Sequence, residues 1–275
     1  GWADPFYPDG CMPEHVLRAM VKCLDSGRAS HYTVPIGSAE LRSEVSRKLS
    51  EFNGIDADPD RNILITPGSD SGLFYAMLPF ILPGDEVMVL DPSYPNNFLN
   101  VELMGGKAVR IGLHEERGYQ PNIEDFERGL TKNTKMVLLT HPNNPTTTVF
   151  RRQFLEELAR FVVDNDLVLV VDQAFEDTVF DGIEYVNVAT LPGMWERTLS
   201  VFSISKGMGL SGLRVGYIVS DDNIMDVLYG ACVNVLGATN TAAQAGAIAA
   251  LANPGFVKEY RNTYDKRRKF AYEVF

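Results

Sequence analysis

One lysine, Lys206, follows Ser203-Ile204-Ser205, and Arg214 comes eight positions later. The flanking runs, residues 198–202 and 215–219, are apolar and read as strands. A lysine on a loop between buried strands sits where its charge is costly to desolvate. Its pKa falls there, and the neutral amine can attack a carbonyl to form a Schiff base. Ser203, Ser205 and Arg214 offer donors to an anion such as a phosphate. The alternative is an ordinary solvated surface lysine.

Further polar motifs follow other expected strands, and ligands of open α/β sheets bind outside the carboxyl ends of strands. Thr66-Pro67-Gly68-Ser69-Asp70-Ser71-Gly72 leaves a strand and opens a helix, where backbone N–H groups and the helix dipole favour a phosphate. Asp70 carries a negative charge, so its N–H is the better donor; the alternative is that Ser69 and Asp70 simply cap the helix. In Asp91-Pro92-Ser93-Tyr94-Pro95, Tyr94 can lie flat on an aromatic ring or pack on the surface of a turn. His141-Pro142-Asn143-Asn144-Pro145-Thr146 is a turn, and its Asn144 offers an amide donor to a phenolate oxygen. Asp172 ends an aliphatic run, where a carboxylate needs a partner. A protonated pyridine nitrogen suits it, and a cap or turn role is the alternative. A Schiff-base amine, a phosphate cradle and a carboxylate for a ring nitrogen together suggest pyridoxal 5′-phosphate as cofactor.

Alternating strands and helices must position these groups. Strands are expected at 61–66, 86–90, 107–111, 135–140, 167–171, 198–202 and 215–219, and helices at 13–26, 38–52, 69–80, 123–130, 151–165, 224–235, 241–251 and from 254 to 275. The aliphatic runs 137–139 and 167–171 suit strands buried on both faces. The expected fold is α/β: a three-layer α/β/α arrangement on a mainly parallel, mixed seven-stranded sheet. Residues 1–35 form an N-terminal segment lining the active site, residues 36–253 a cofactor-binding domain, and residues 254–275 the start of a helix leading into a further, smaller domain.

The chain has 275 residues, a net charge of −11 and three cysteines without a C-x-x-C pair. The acidity argues against nucleic acid and anionic membranes as partners. No apolar run is long enough for a membrane span, and no leader segment is visible. Cys11, Cys23 and Cys232 read as free or buried thiols of a reducing compartment, so a cytoplasmic location is expected.

The whole chain resembles the class I/II aminotransferases, fold-type I enzymes that depend on pyridoxal phosphate. The matching pieces are Tyr32-Thr33-Val34-Pro35-Ile36-Gly37 with Leu41-Arg42, Gly68-Ser69-Asp70, Tyr94, Asn143-Asn144-Pro145-Thr146, Asp172-Gln173-Ala174-Phe175, Ser203-Ile204-Ser205-Lys206 and Gly212-Leu213-Arg214-Val215-Gly216-Tyr217. The resemblance implies that Lys206 is the Schiff-base lysine and proton shuttle, and that Asp172 pairs with the pyridine nitrogen. It implies Asn144 on the phenolic oxygen and Tyr94 on the ring, with Ser69, Asp70, Ser203, Ser205 and Arg214 on the phosphate. Tyr32 matches a tyrosine that reaches the phosphate of the neighbouring subunit, which implies a homodimer with shared sites. Phe175 stands where many members carry a tyrosine, and Thr147 where the motif usually has glycine. Trp2–Pro8 loosely resembles a strand lining the substrate pocket.

The implied activity is exchange of an amino group between an amino acid and a 2-oxo acid. The same fold hosts carbon–sulfur β-lyases, decarboxylases and cyclases, and a non-catalytic effector domain of a regulator is a further alternative. No Lys or Arg lies between Arg214 and Lys258, which argues against recognition of a dicarboxylate by an arginine of that stretch.

Overall fold

The computed structural model describes Asp4, Phe6, Tyr7 and residues 12–274, apart from the side chains of Cys232 and Val233. Trp2, Ala3, Pro5 and Pro8 of the proposed pocket strand lie outside these residues, as do Cys11 and Phe275. Helices α1 (Glu14–Asp25) and α2 (Ala39–Lys48) precede the first strand, β1 (Ile63–Thr66). There follow α3 (Ser69–Met77), β2 (Glu86–Asp91), α4 (Pro95–Leu103), β3 (Lys107–Gly112), α5 (Ile123–Gly129), β4 (Thr134–Thr140), α6 (Arg152–Asp164) and β5 (Val168–Asp172). Strands β6 (Thr198–Ser203) and β7 (Gly216–Val219) come next, then α7 (Asp222–Leu236), α8 (Thr241–Ala252) and α9 (Gly255–Val274).

The seven strands form one sheet in the order β1-β7-β6-β5-β4-β2-β3. All adjacent pairs are parallel except those of β7, which runs antiparallel to β1 and to β6. The sheet is therefore mainly parallel and mixed, as expected.

Alternation along the strands sends side chains to two helical layers. Leu64, Val87, Val89, Leu138, Val170 and Val201 meet α3, α4 and α7 on one face. On the other face Ile63, Ile65 and Phe202 meet α2 and α8, while Leu139, Leu169 and Val171 meet α6. Burial on both faces is why β4 and β5 read as unbroken aliphatic runs.

Two elements differ from the sequence expectation. Helix α4 was not among the expected helices. Pro95 takes the first helical position, where its missing N–H costs nothing, and Phe98 and Val101 bury the helix. The helix expected to run to residue 52 ends its regular part at Lys48. A π turn, Leu49–Asn53, follows, closed by Gly54 at φ 67°.

Candidate active site

Strand register assembles the chemistry-bearing residues on one edge of the sheet. Gly216, which opens β7, pairs with Thr66 of β1 and with Ser203 of β6. Thr140 pairs with Asp172 on the adjacent strands β4 and β5. The loops carrying Gly68–Asp70, Lys206 and Arg214 thus leave the sheet side by side, next to Asp172.

Helix α3 starts at this edge. Gly68 is its N-cap and no side chain caps it, so the capping alternative for Ser69 and Asp70 is not realised. The first-turn N–H groups stay available to an anion. A glycine is required at position 68: φ is +83°, and a Cβ there would fall 2.3 Å from Arg214 Nη2. Gly216 is as tightly enclosed, since a Cβ would lie 2.7 Å from both Gly68 C and Ser69 N. Arg214 itself takes a left-handed conformation, φ 52°, and its Nη1 donates to Ser211 O at 3.0 Å. Ser203 and Ser205 are buried, and the Ser205 N–H donates to Ser203 Oγ at 3.0 Å. A helix N-terminus facing an arginine, with two hydroxyls beside it, fits a phosphate monoester dianion.

Lys206 is half-buried. Burial pushes its pKa below the usual lysine value and Arg214 adds to this, while Asp4, Asp70 and Asp172 oppose it. Its Nζ lies 5.9 Å from the centre of the Phe175 ring.

Asp172 is the last residue of β5 and is buried. Its Oδ1 accepts from the Ala174 N–H at 3.1 Å, and Thr140 is its cross-strand neighbour on β4. Burial nonetheless pushes its pKa up to about 7. Such a group gains by facing a cation. Asn97, fully buried on α4, donates through Nδ2 to Thr140 Oγ1 at 2.9 Å, beside Asp172. Neither Thr140 nor Asn97 was singled out from sequence. The signal available was a hydroxyl closing the aliphatic run of β4.

Tyr94 caps α4 and is half-buried. Burial, then the nearby negative charge of Asp70, holds its pKa above the usual tyrosine value. Asn96 Nδ2 donates to Tyr94 Oη at 3.2 Å, and Asp70 Oδ2 lies 4.0 Å from Arg214 Nη2. The Asp70 carboxylate accepts from Asn96 Nδ2 at 3.4 Å, while its backbone N–H lies in the first turn of α3 and needs no partner within the helix. In the turn after β4, Asn143 does the pinning: Nδ2 donates to Thr146 Oγ1 at 2.8 Å and to Pro92 O at 3.2 Å. Asn144 takes no part in that pinning. Thr147 holds φ 60°, which explains the glycine usual at this place.

Tyr32 is fully exposed and stands apart from the group within one chain. His141 is not an acid–base candidate. Its ring is stacked between Phe150 and Tyr185, and burial lowers its pKa to about 3.

The family model described as "Aminotransferase class I and II" matches residues 4–275. The aspartate aminotransferase of Pyrococcus abyssi is 31% identical over 269 residues, covering 97% of this chain and 69% of that protein. The aromatic-amino-acid aminotransferase 2 of Thermococcus litoralis is 32% identical with the same coverage. The solved aromatic aminotransferase of Pyrococcus horikoshii superposes with a TM-score of 0.92 at 31% identity, over 98% of this chain and 72% of that one.

Proposed function

Because the chain belongs to the class I and II aminotransferase family, we propose that the edge carrying Lys206, Asp172 and Arg214 is its active site and that Lys206 is the lysine that carries the cofactor. The chain is a pyridoxal-phosphate-dependent aminotransferase, and its substrates are amino acids and 2-oxo acids. The observation that carries the site assignment is the register: Thr66, Gly216 and Ser203 form one row, with Asp172 on the next strand.

When bound, pyridoxal phosphate supplies a ring that accepts the electron pair left on the substrate α-carbon. The backbone N–H groups of Ser69 and Asp70, the hydroxyls of Ser203 and Ser205 and the Arg214 guanidinium would hold its phosphate. Asp172 would face the ring nitrogen and keep it protonated. Asn144 would donate to the phenolic oxygen, and Tyr94, held by Asn96 Nδ2, would cover the ring face. Lys206 Nζ, its pKa lowered by burial, would carry the proton that leaves the substrate α-carbon.

We further propose a homodimer. Leu17, Val21 and Leu24 make an exposed apolar stripe on α1, and Tyr32 and Val34 are exposed nearby in sequence. Tyr32 would reach the phosphate bound by the second copy. Residues 36–253 would form the cofactor-binding domain, residues 1–35 its active-site segment and residues 254–275 the helix that leaves it. Among the described residues no helix is long and apolar enough to cross a membrane. The free thiol of Cys23 supports a cytoplasmic location. The absence of Lys and Arg from residues 215–257 argues against recognition of a side-chain carboxylate by an arginine of that stretch and leaves open a dicarboxylate donor held through another contact.

The test is borohydride reduction of the protein with pyridoxal phosphate, followed by peptide mass mapping. The adduct should map to Lys206 and be lost in Lys206→Ala; an adduct on another lysine refutes the assignment. Incubation with single amino acids should release the matching 2-oxo acid. Release of ammonia with pyruvate, or of carbon dioxide, would instead indicate a lyase or a decarboxylase.

A further inference from the structure

Behind the proposed site lies a buried ion pair that the chemistry above does not use. Lys48, the last residue of α2, has its Nζ 4.8 Å from the centre of the Phe202 ring. It donates to Glu176 Oε1 and, at 2.8 Å, to Asn53 Oδ1. Asn53 Nδ2 donates in turn to Glu176 Oε2 at 2.6 Å. Both carboxylate oxygens are thus taken by donors from the end of α2 and its π turn. Burying two charges seldom gains stability over apolar residues of similar volume, because desolvation offsets the attraction. The pair therefore calls for a reason other than stability.

That reason lies in what Glu176 is attached to. Phe175 precedes it, with its ring 5.9 Å from Lys206 Nζ. A phenylalanine has no hydroxyl by which the ring could be tethered. Asp177 follows, packed against the backbone of Gly207: a Cβ on Gly207 would fall 2.1 Å from Asp177 Oδ2 and 2.3 Å from its Cβ. The single turn 175–177 thus touches Lys206 and its neighbour from two sides, and Glu176 stands in its middle.

We propose that the Lys48–Glu176 pair positions Lys206. By fixing the turn 175–177 against α2, it sets the ring that faces the lysine amine and the wall on which Gly207 rests. Lys48 and Glu176 are positioning residues acting through Phe175 and Asp177. The inference rests on Lys206 being the cofactor-bearing lysine.

The experiment compares holoprotein of the wild type with Lys48→Met, Glu176→Gln and the double variant Lys48→Met/Glu176→Leu. Melting temperature, cofactor Kd, kcat, KM and the pH midpoint of the bound cofactor's visible absorbance are read on each. Lys48→Met and Glu176→Gln each leave a buried polar group without its partner and should melt below the wild type. The double variant has no unpaired charge and leaves only the buried Asn53 amide without these partners, so it should melt closer to the wild type than either single variant. It should still show a kcat lower by about a hundredfold at little-changed KM and an absorbance midpoint displaced by about 0.5 pH unit or more. A double variant with wild-type kcat and midpoint overturns the proposal, since the pair is then structural only. Asn53→Ala keeps both charges and removes one donor to Glu176, so it serves if the double variant does not fold. Its midpoint should move in the same direction by a smaller amount, and an unmoved midpoint overturns the proposal. Wild-type protein that takes up no pyridoxal phosphate overturns the cofactor assignment and the inference with it.

Discussion

Replacing Asp172 by asparagine in the cofactor-free protein should remove a large pH dependence of stability. Burial pushes the Asp172 pKa from the ordinary 3.8 up to about 7, against the pull of the Ala174 N–H and the Thr140 hydroxyl. In the unfolded chain the group titrates near its ordinary value. Between those two values the folded protein holds a proton that the unfolded chain has lost. The contribution is therefore fully present below the unfolded pKa, is lost as pH rises towards 7, and is level above that. At about 1.36 kcal/mol for each pH unit, the loss amounts to about 4 kcal/mol. This is a ceiling, because water entering on ionisation relieves part of the cost. Half of it still corresponds to about 4–8 °C in melting temperature for a chain of this size. The assay is thermal melting of both proteins without cofactor from pH 4.5 to pH 8.5 (~ the upper part of the titration and the level region above it). The asparagine variant should gain on the wild type steadily as pH rises. Asp177, also pushed up by burial, titrates in both proteins and cancels in the comparison. Pyridoxal phosphate should then restore the wild type more than the variant at high pH, because a protonated ring nitrogen pairs with the ionised carboxylate. Melting temperatures that stay parallel across the range would refute the burial argument. Equal rescue of both proteins would refute the pairing of Asp172 with the nitrogen.

Three further outcomes follow from the geometry. Thr147→Gly should raise the melting temperature by about 2–4 °C, since relief of a left-handed β-branched residue, about 1–2 kcal/mol, exceeds the added flexibility of glycine, about 0.5–1 kcal/mol; a lower melting temperature refutes the strain. Gly68→Ala should displace Arg214 and weaken binding of pyridoxal phosphate by about tenfold or more, while leaving affinity for pyridoxal, which lacks the phosphate, unchanged; absorbance titrations that show equal losses refute the cradle. Tyr32→Phe should weaken cofactor retention by about fivefold with the dimer mass intact by light scattering, and unaltered retention in a monomer refutes a shared site.

What sequence conveyed was whatever local pattern encodes. The aliphatic runs of β4 and β5 announced strands covered on both faces, and the Lys206 loop between two such runs announced an amine under desolvation. The order of the strands was not legible, because pairing of β1 with β7 joins distant segments and leaves no local trace. Helix α4 was missed because its one strong signal, Pro95, serves equally to start a helix or to make a turn. The role of Asn97 went with it, as did its bond to Thr140, the cross-strand neighbour of Asp172. Lys48 and Glu176 lie far apart in the sequence, and only the fold brings them together in the interior. The departures at Phe175 and Thr147 were visible as letters. Their physical content, a ring facing Lys206 and a positive φ, required coordinates.

The antiparallel placement of β7 bears on how the protein matures. Ser203 and Gly216 pair across one short connection, so the lysine loop closes locally and at low entropic cost. Gly68 and Ser69 hang from β1, whose partner β7 arrives much later in the chain. Pairing at such separation is slow to form. On the ribosome the two halves of the phosphate cradle stay apart until β7 has emerged and inserted between β1 and β6. Tight capture of the phosphate is thus a late event in folding, and acquisition of cofactor absorbance in a refolding experiment would time the closure of the longest-range ladder in the sheet.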